Sequence, residues 1–311
     1  MNKLNYISYK ILLYILLRLP DLFYSFLFTV FFPIYKTLHK KRAYGRVEQH
    51  LELAKKYVVI NSTEKSTNLL NNNTPLLHTS ARDVFRGIFW DALDSYRGLA
   101  RQKNTTSRIV FENEHIIRDA ITQCAAINAP IAAISIHQGP FELLHRSLCR
   151  YSEHVHLITD SVGDTTFREV LKNLRSDPHL TEYHPNETGR LIRELFRTKG
   201  ILAMVVDQGR HTKGNTVSLF GRPSTLYLRL PKKVNDMGAG IVIFRSWTKN
   251  RHIVIRFEKY YPPRYDAVCD KKANPASNSP LIESIAKEIE KWIAEHPSEW
   301  SWNYHGNFTT D

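Results

Sequence analysis

Beyond residue 108, short apolar segments alternate with amphipathic ones, and this alternation constrains the fold more than any other feature. The apolar segments predict strands at Ile131–Ile136, Val155–Thr159, Ile201–Val206, Gly240–Phe244 and Ile253–Phe257. The amphipathic segments predict helices over residues 114–128, 140–151, 165–175, 187–198, 224–237 and 279–296. Buried strands separated by helices are typical of parallel sheets. The sequence therefore predicts an α/β fold with a mixed, largely parallel sheet flanked by helices.

The N-terminus predicts a membrane-associated helical segment over residues 1–47. Residues 11–35 are mostly apolar, but Arg18, Pro20 and Asp21 interrupt them, and the uninterrupted run Leu22–Ile34 has only 13 residues. A bilayer-spanning helix needs about 20 apolar residues. The basic residues that follow favour the cytoplasmic side and anionic headgroups. We expect a marginal span or an interfacial anchor; a buried core helix is the alternative.

The rest of the chain, residues 48–311, is expected to form one large domain. Residues 61–79 are rich in Asn, Ser and Thr, which predicts a polar surface loop. Ser80 and Asp83 have the spacing of a capping box, which predicts a helix that begins there and runs to about residue 101.

Composition excludes several classes of protein. The 311 residues carry a formal net charge of +13, which favours an anionic partner such as phosphorylated lipid, a membrane or an acidic protein. Three widely separated cysteines exclude a disulfide scaffold and a cysteine-rich zinc site. The sequence has no P-loop, no nucleophile elbow, no complete dinucleotide fingerprint and no nucleic-acid-binding motif. We expect neither a metal nor another cofactor, and no nucleic acid as partner.

One histidine stands where chemistry is expected. His137 directly follows the strand Ile131–Ile136, at the carboxyl edge where open α/β sheets bind ligands. Glu142 follows in the first turn of the helix predicted to begin at Pro140. We expect Glu142 to hydrogen-bond and orient His137 as a general base, with backbone N–H groups near residues 139–141 or an arginine holding an oxyanion. The alternative is a purely structural histidine.

No serine or cysteine accompanies this pair as an enzyme nucleophile. The arrangement therefore favours direct attack of a substrate hydroxyl on an activated acyl group. A second His-x4-acid pair, His78 and Asp83, has the same spacing but lies in and beside the predicted polar loop.

Several segments, in their order and spacing, resemble the late acyltransferases of bacterial lipid A biosynthesis, within the lysophospholipid acyltransferase superfamily. They are the apolar N-terminus with its basic flank, SIHQGPFE at residues 135–142, LIRELFRTKGILAMVVDQ at 191–208, VSLFGRP at 217–223 and PSEWSWNYHGNF at 297–308. The His-x4-Glu of the second segment matches the family's His-x4-Asp/Glu motif. The resemblance covers nearly the whole chain.

The resemblance implies a function and a set of site residues. It implies an acyltransferase at the cytoplasmic face of the bacterial inner membrane, which moves a fatty acyl group from an acyl carrier protein thioester to a hydroxyl of an anionic, lipid A-type glycolipid precursor. His137 and Glu142 would be catalytic. The residues implied in substrate binding are Arg175 with Arg168 as its rival, Asp207, Gln208, Gly139 and Arg222.

Departures from the family pattern keep two alternatives open. Gly139-Pro140-Phe141 stands where the family has Gly-Asn-Trp, and the segment Ser161–Asp177 lacks the family's Tyr-Arg-Pro start. One alternative is the same chemistry with another acceptor, or with an aminoacyl or other acyl donor. The other is a non-enzymatic membrane lipid-binding module. Trp300, Trp302 and Tyr304 are expected either to line the interface or an acyl groove, or to pack against the last helix.

Overall fold

The computed structural model describes residues 11, 13–63, 74–100, 108–159, 165–208, 213–250, 252–264 and 279–302. Seven strands form one sheet in the order β1-β9-β8-β2-β5-β3-β4. They are β1 (Ile109–Glu112), β2 (Ile131–Ser135), β3 (Val155–Ile158), β4 (Leu180–Tyr183), β5 (Ile201–Val205), β8 (Gly240–Lys249) and β9 (His252–Tyr261). All neighbours are parallel except β8 and β9. The predicted mixed, largely parallel α/β sheet is confirmed.

Helices cover both faces of the sheet. They are α1 (Asp21–His39), α2 (Gly45–Thr63), α3 (Pro75–His78), α4 (Ala81–Ala100), α5 (Glu114–Ala126), α6 (Leu144–Leu148), α7 (Thr165–Arg175), α8 (Thr188–Thr198), α9 (Arg229–Asp236) and α10 (Pro280–Glu295). Two buried hydrophobic clusters lie on the two faces. One contains Ile134 and the apolar stripe of α10, and the other contains Ala133 and the buried residues of α5. The alternation of side chains along β2 explains this division.

A two-stranded hairpin is the main element that the sequence did not predict. Strands β6 (Asn215–Leu219) and β7 (Arg222–Leu226) pair antiparallel. The helix expected over 224–237 is therefore wrong in its first part and begins only at Arg229. The turn residues Phe220 and Gly221 have φ values of 50° and 67°, as a type I′ turn requires. Phe-Gly is not one of the common sequences for this turn, so the pattern did not indicate it.

The region around residues 61–79 differs from the predicted polar loop. Helix α2 continues to Thr63, and Pro75–His78 form the short helix α3; residues 64–73 lie outside the described part of the chain. The capping box is confirmed, because the Asp83 backbone N–H and the Ser80 Oγ are 3.3 Å apart and the Ser80 N–H donates to Asp83 at 3.0 Å. Helix α4 begins directly after it.

The N-terminal segment is helical, packs on α4 through residues such as Tyr24, and is also bound by an arginine of that helix. Within the described residues, no helix has both the length and the apolar character needed to span a bilayer. Arg97 of α4 donates to Asp21 at 2.6 Å, to the Leu19 carbonyl at 2.6 Å and to the Leu17 carbonyl at 3.1 Å. The charge of Asp21, which interrupts the apolar run, therefore has a structural partner. Membrane association of this segment stays a prediction.

Candidate active site

The pairing of two central strands brings His137 and Asp207 together. Strands β2 and β5 are parallel, and Ser135 is paired with Val205. Two residues further along each strand are His137 and Asp207, at the carboxyl edge of the sheet. The register of the two strands therefore places Asp207 beside the strand end that carries His137.

Asp207 holds the ring of His137 in one orientation. Nδ1 of His137 lies 2.7 Å from Oδ1 of Asp207, and the His137 backbone N–H donates to both carboxylate oxygens at 3.0 Å. The indole N–H of Trp300 donates to Oδ2 at 3.0 Å. A carboxylate only accepts hydrogen bonds, so we assign the ring proton to Nδ1. Nε2 then has a free lone pair.

The turn after β2 needs glycine and fixes the other side of the histidine ring. Gly139 has a φ of +61°, and a Cβ there would lie 2.3 Å from the carbonyl oxygen of Ser246. The Phe141 ring packs edge-to-face on His137, with centroids 4.6 Å apart. The side chain of His137 is 18% exposed and borders the cavity described below.

Glu142 has a different partner from the one expected. It forms a bidentate ion pair with Arg175, at 2.6 Å to Nη2 and 2.8 Å to Nε, and both side chains are 13% exposed. Residues 141–143 form a 3-10 turn rather than the expected first turn of an α-helix. Among the described contacts, the carboxylate on the His137 ring is therefore that of Asp207 and not that of Glu142.

The pKa of Glu142 follows from its surroundings. Burial disfavours the charged carboxylate, but the Arg175 guanidinium outweighs this effect, and the pKa lies below its usual value. His145, one turn further along, is fully buried, and this desolvation lowers its pKa to about 4, so it is neutral at physiological pH. Its Nε2 has no hydrogen-bond partner among the described residues.

The backbone groups expected to hold an oxyanion are already engaged. The Gly139 N–H donates to the Glu299 carbonyl at 3.0 Å and the Phe141 N–H to the Gly139 carbonyl at 2.7 Å. Pro140 has no N–H. We expected either these backbone N–H groups or an arginine to hold the oxyanion, so an arginine is the remaining candidate. Nη1 of Arg175 has a long contact of 3.4 Å to the Thr159 hydroxyl.

A cavity of about 1060 Å³ opens at this edge of the sheet. Most of the predicted site residues line it: His137, Gly139, Glu142, Arg168, Arg175 and Gln208. Asp207 is only 2% exposed and lies behind His137. Arg222 begins strand β7 and is not one of the described residues that line the cavity. Its predicted role in binding substrate has no support from this geometry.

The apolar lining divides between the two faces of the sheet. Leu144, Leu157, Ala203 and Phe244 belong to the cluster on one face. Ile88, Ile158, Met204 and Leu230 belong to, or pack on, the cluster on the other face. Apolar residues from both faces of the sheet therefore line the cavity, and the sheet edge that carries His137 lies between these two sets of residues.

Cations border the cavity. Besides Arg168 and Arg175, they are Lys172, Lys213, Arg229 and Lys233. Within the described part of the chain, Lys213, Arg229 and Lys233 form no ion pair with another residue. Their charge is available to an anionic ligand. No cluster of metal-ligating side chains occurs among the described residues.

Sequence reasoning missed several residues at the site. Asp91 of α4, with Glu299 and Ser301 after α10, line the cavity. Trp300 and Trp302 are fully buried, with Trp300 bonded to Asp207 and Trp302 to the Pro297 carbonyl, so they pack inside the protein. Tyr304 lies outside the described residues. The terminal motif PSEWSWNYHGNF could have indicated Glu299 and Trp300 as site residues. Asp91 belongs to no motif, so nothing in the sequence indicated it.

A match to a known family agrees with this geometry. Residues 85–307 match the family described as bacterial lipid A biosynthesis acyltransferase, and this range is more than half of the chain. The chain belongs to the lipid A biosynthesis acyltransferases. No curated protein matches it. As a lipid A biosynthesis acyltransferase, it transfers an acyl group from a donor to a lipid acceptor. The matched range contains His137, Glu142, Arg175 and Asp207.

Proposed function

We propose that this lipid A acyltransferase moves a fatty acyl group from an acyl carrier protein thioester to a hydroxyl of a lipid A-type glycolipid precursor. The observation that carries the proposal is the hydrogen bond between His137 Nδ1 and the buried carboxylate of Asp207. It leaves Nε2 of His137 available as the general base in a cavity large enough for lipid.

The reaction follows from this arrangement. Nε2 of His137 takes the proton of the acceptor hydroxyl as its oxygen attacks the thioester carbonyl carbon. The tetrahedral intermediate collapses, the C–S bond breaks, and the leaving thiolate takes the proton back from the imidazolium. The products are an ester and a free thiol, and the balance needs no redox or metal cofactor. Asp207 stabilises the imidazolium while it exists.

Arg175 is our candidate for holding the oxyanion. Its guanidinium borders the cavity, and Glu142 fixes it through two hydrogen bonds. Nη1 is the least engaged nitrogen of the group. We assign Glu142 the role of positioning Arg175, and Asp207 the orienting role that the sequence suggested for Glu142.

The two sets of apolar lining residues suit two lipid substrates. Leu144, Leu157, Ala203 and Phe244 belong to the core on one face of the sheet and suit a single acyl chain. The basic residues Arg229 and Lys233, which also line the cavity, suit the anionic acceptor. The basic residues around the cavity, here called the basic rim, are complementary in charge to an acidic carrier protein. This supports acyl carrier protein as the carrier of the donated acyl group.

We further propose that the protein works at the cytoplasmic face of the bacterial inner membrane. Large apolar side chains of α1 are exposed, among them Leu22 at 83%, Phe26 at 63% and Phe31 at 58%. An apolar helix face followed by a basic flank binds to the interface of anionic bilayers. This placement would bring the cavity close to lipid substrates.

Acyl transfer by the full-length protein tests the proposal. Acyl carrier protein charged with a fatty acid and a lipid A precursor in detergent micelles are the substrates, and mass spectrometry reads the product. We expect the precursor to gain the mass of one acyl group, with acyl-CoA a poorer donor. A different added mass, or acylation of another lipid only, would refute the proposed substrates. No transfer to any lipid would favour the non-enzymatic alternative.

A further inference from the structure

The segment after α10 places two polar side chains in the wall of the cavity that His137 also lines. Residue Trp300 forms an isolated antiparallel bridge with Gln138, and the Gly139 N–H donates to the Glu299 carbonyl at 3.0 Å. Successive side chains of an extended segment point to opposite sides. Trp300 points inward to Asp207, and its neighbours Glu299 and Ser301 both line the cavity.

Helix α4 adds a third polar side chain. Gly87 packs so closely on the turn before Trp300 that a Cβ would lie 1.9 Å from the Ser298 carbonyl oxygen. Asp91 is one helical turn from Gly87, on the same face of α4, and it lines the cavity. The close approach that Gly87 allows places Asp91 near enough to Glu299 for their charges to interact.

Two of these polar side chains, Asp91 and Ser301, carry an atom without a hydrogen-bond partner in the described part of the protein, whereas Glu299 accepts a hydrogen bond from the Thr248 N–H at 3.1 Å. Asp91 and Ser301 are 6% and 5% exposed, and neither Oδ2 of Asp91 nor Oγ of Ser301 forms a hydrogen bond there. A buried polar atom without a partner costs about 1–3 kcal/mol. The two residues that carry these atoms line the same cavity, which suggests a ligand that supplies the missing hydrogen bonds.

The charge of the cluster limits the kind of ligand. Burial raises the pKa of Glu299 to about 8, and burial together with the Glu299 charge raises the pKa of Asp91 well above its usual range. Protonated carboxyls both donate and accept hydrogen bonds, as a hydroxyl or an amide does. An anion has no attraction to this cluster, and the cations around the cavity repel a positively charged group.

We infer that Asp91, Glu299 and Ser301 form a subsite for an uncharged hydroxyl- or amide-bearing part of the acceptor. The inference rests on the proposed function, in which the attacking hydroxyl must lie beside His137. The subsite would orient the acceptor, while the basic rim binds its anionic groups. The amides of a pantetheine arm on the acyl donor could make the same hydrogen bonds. In that case changes at the subsite would weaken binding of the donor and not of the acceptor.

Steady-state transfer with separate variation of the two substrates tests the inference. The variants are Ser301→Ala, Asp91→Asn and Asp91→Ala. We expect the KM for the lipid A precursor to rise about two- to tenfold in Ser301→Ala, as for the loss of one net hydrogen bond, and more in Asp91→Ala. The KM for acyl carrier protein thioester should stay unchanged. Asp91→Asn keeps the shape and should be the mildest change at position 91.

Controls separate binding from folding. The Ser301 hydroxyl has no partner in the described protein, so thermal unfolding of Ser301→Ala should match the wild type. Ser246→Ala removes a buried hydroxyl that bonds the Gln138 carbonyl and does not line the cavity, so its KM values should not change. An unchanged acceptor KM in Ser301→Ala and Asp91→Ala, or a rise in donor KM alone, would overturn the inference. A wild type without transfer activity would instead refute the proposed function.

Discussion

Asp207 meets the ring of His137 edge-on, with its Oδ1 atom 2.7 Å from Nδ1, and it also accepts the backbone N–H of the same residue. One buried carboxylate therefore fixes both the backbone and the ring of the candidate base. The paired strands β2 and β5 set this relationship, because positions 137 and 207 follow directly from their register. The acid that orients the histidine thus comes from the neighbouring strand, and not from the nearby His-x4-Glu motif.

Replacement of Asp207 by Asn should abolish most of the activity. An amide cannot stabilise the imidazolium, and it presents an N–H where the ring and backbone N–H groups donate. We expect kcat to fall on the order of 10²–10⁴-fold, with little change in the KM values. Single-turnover transfer measures this effect. Asp119→Asn, an exposed aspartate, is the matched control. A loss of less than about fivefold would show that Asp207 does not orient the base.

The Glu142–Arg175 pair should behave as a buried ion pair. Glu142→Gln leaves the Arg175 charge without its counterion and should destabilise the protein by about 3–5 kcal/mol. Glu142→Gln combined with Arg175→Met should recover much of that loss but not the activity. Urea unfolding and transfer rates measure the two effects. Additive losses in the double variant would contradict this coupling.

The same pair predicts a loss of stability in acid. Because the folded-state pKa of Glu142 lies below its unfolded value of 4.5, its contribution is present above pH 4.5 and is lost as the pH falls through the folded-state pKa. The stability difference between wild type and the Glu142→Gln, Arg175→Met double variant should therefore shrink below pH 4.5. A difference that is constant from pH 7 to pH 3 would contradict the assignment.

Glu299 predicts the opposite pH dependence. Burial raises the pKa of Glu299 to about 8; the charge of Asp94 adds to this rise, whereas the Thr248 N–H and Arg245 lower the pKa. The neighbouring His296, whose Nδ1 lies 3.9 Å from the Glu299 carboxylate, has its own pKa lowered to about 4 by burial. The folded state thus binds more protons than the unfolded state between the two pKa values, and stability should fall as the pH rises from about 4.5 to 8. Glu299→Gln should flatten this fall in a Tm series. If Tm falls with pH equally steeply in the wild type and in Glu299→Gln, the pKa of Glu299 is not raised.

Membrane association should depend on the exposed apolar face of α1. Phe31→Glu places a charge where the side chain is 58% exposed, so the fold should remain intact. We expect sedimentation with anionic phospholipid vesicles to fall several-fold. Ile127→Glu, at a residue 47% exposed after α5, is the control and should bind like the wild type. Equal binding of both variants and the wild type would show that α1 is not the anchor.

The sequence predicts the sheet well because each central strand is a short apolar run. It predicts the position of His137, at the carboxyl end of β2, for the same reason. It fails where a turn has unusual residues, as at Phe220-Gly221, or where the chain departs from a regular helix, as at Glu142. The partner of Glu142 is Arg175 of α7, and Asp207 accepts a hydrogen bond from Trp300, which follows α10. No local sequence spacing encodes either contact.

Removal of the His137 imidazole tests the central claim most directly. The measurement is the single-turnover rate of acyl transfer to the lipid A precursor by wild type, His137→Ala and His115→Ala, which changes an exposed histidine. If Nε2 of His137 is the general base, His137→Ala should be slower by at least about 10²-fold, with unchanged thermal unfolding, and His115→Ala should equal the wild type. A His137→Ala protein that folds and transfers acyl groups at close to the wild-type rate would contradict the account.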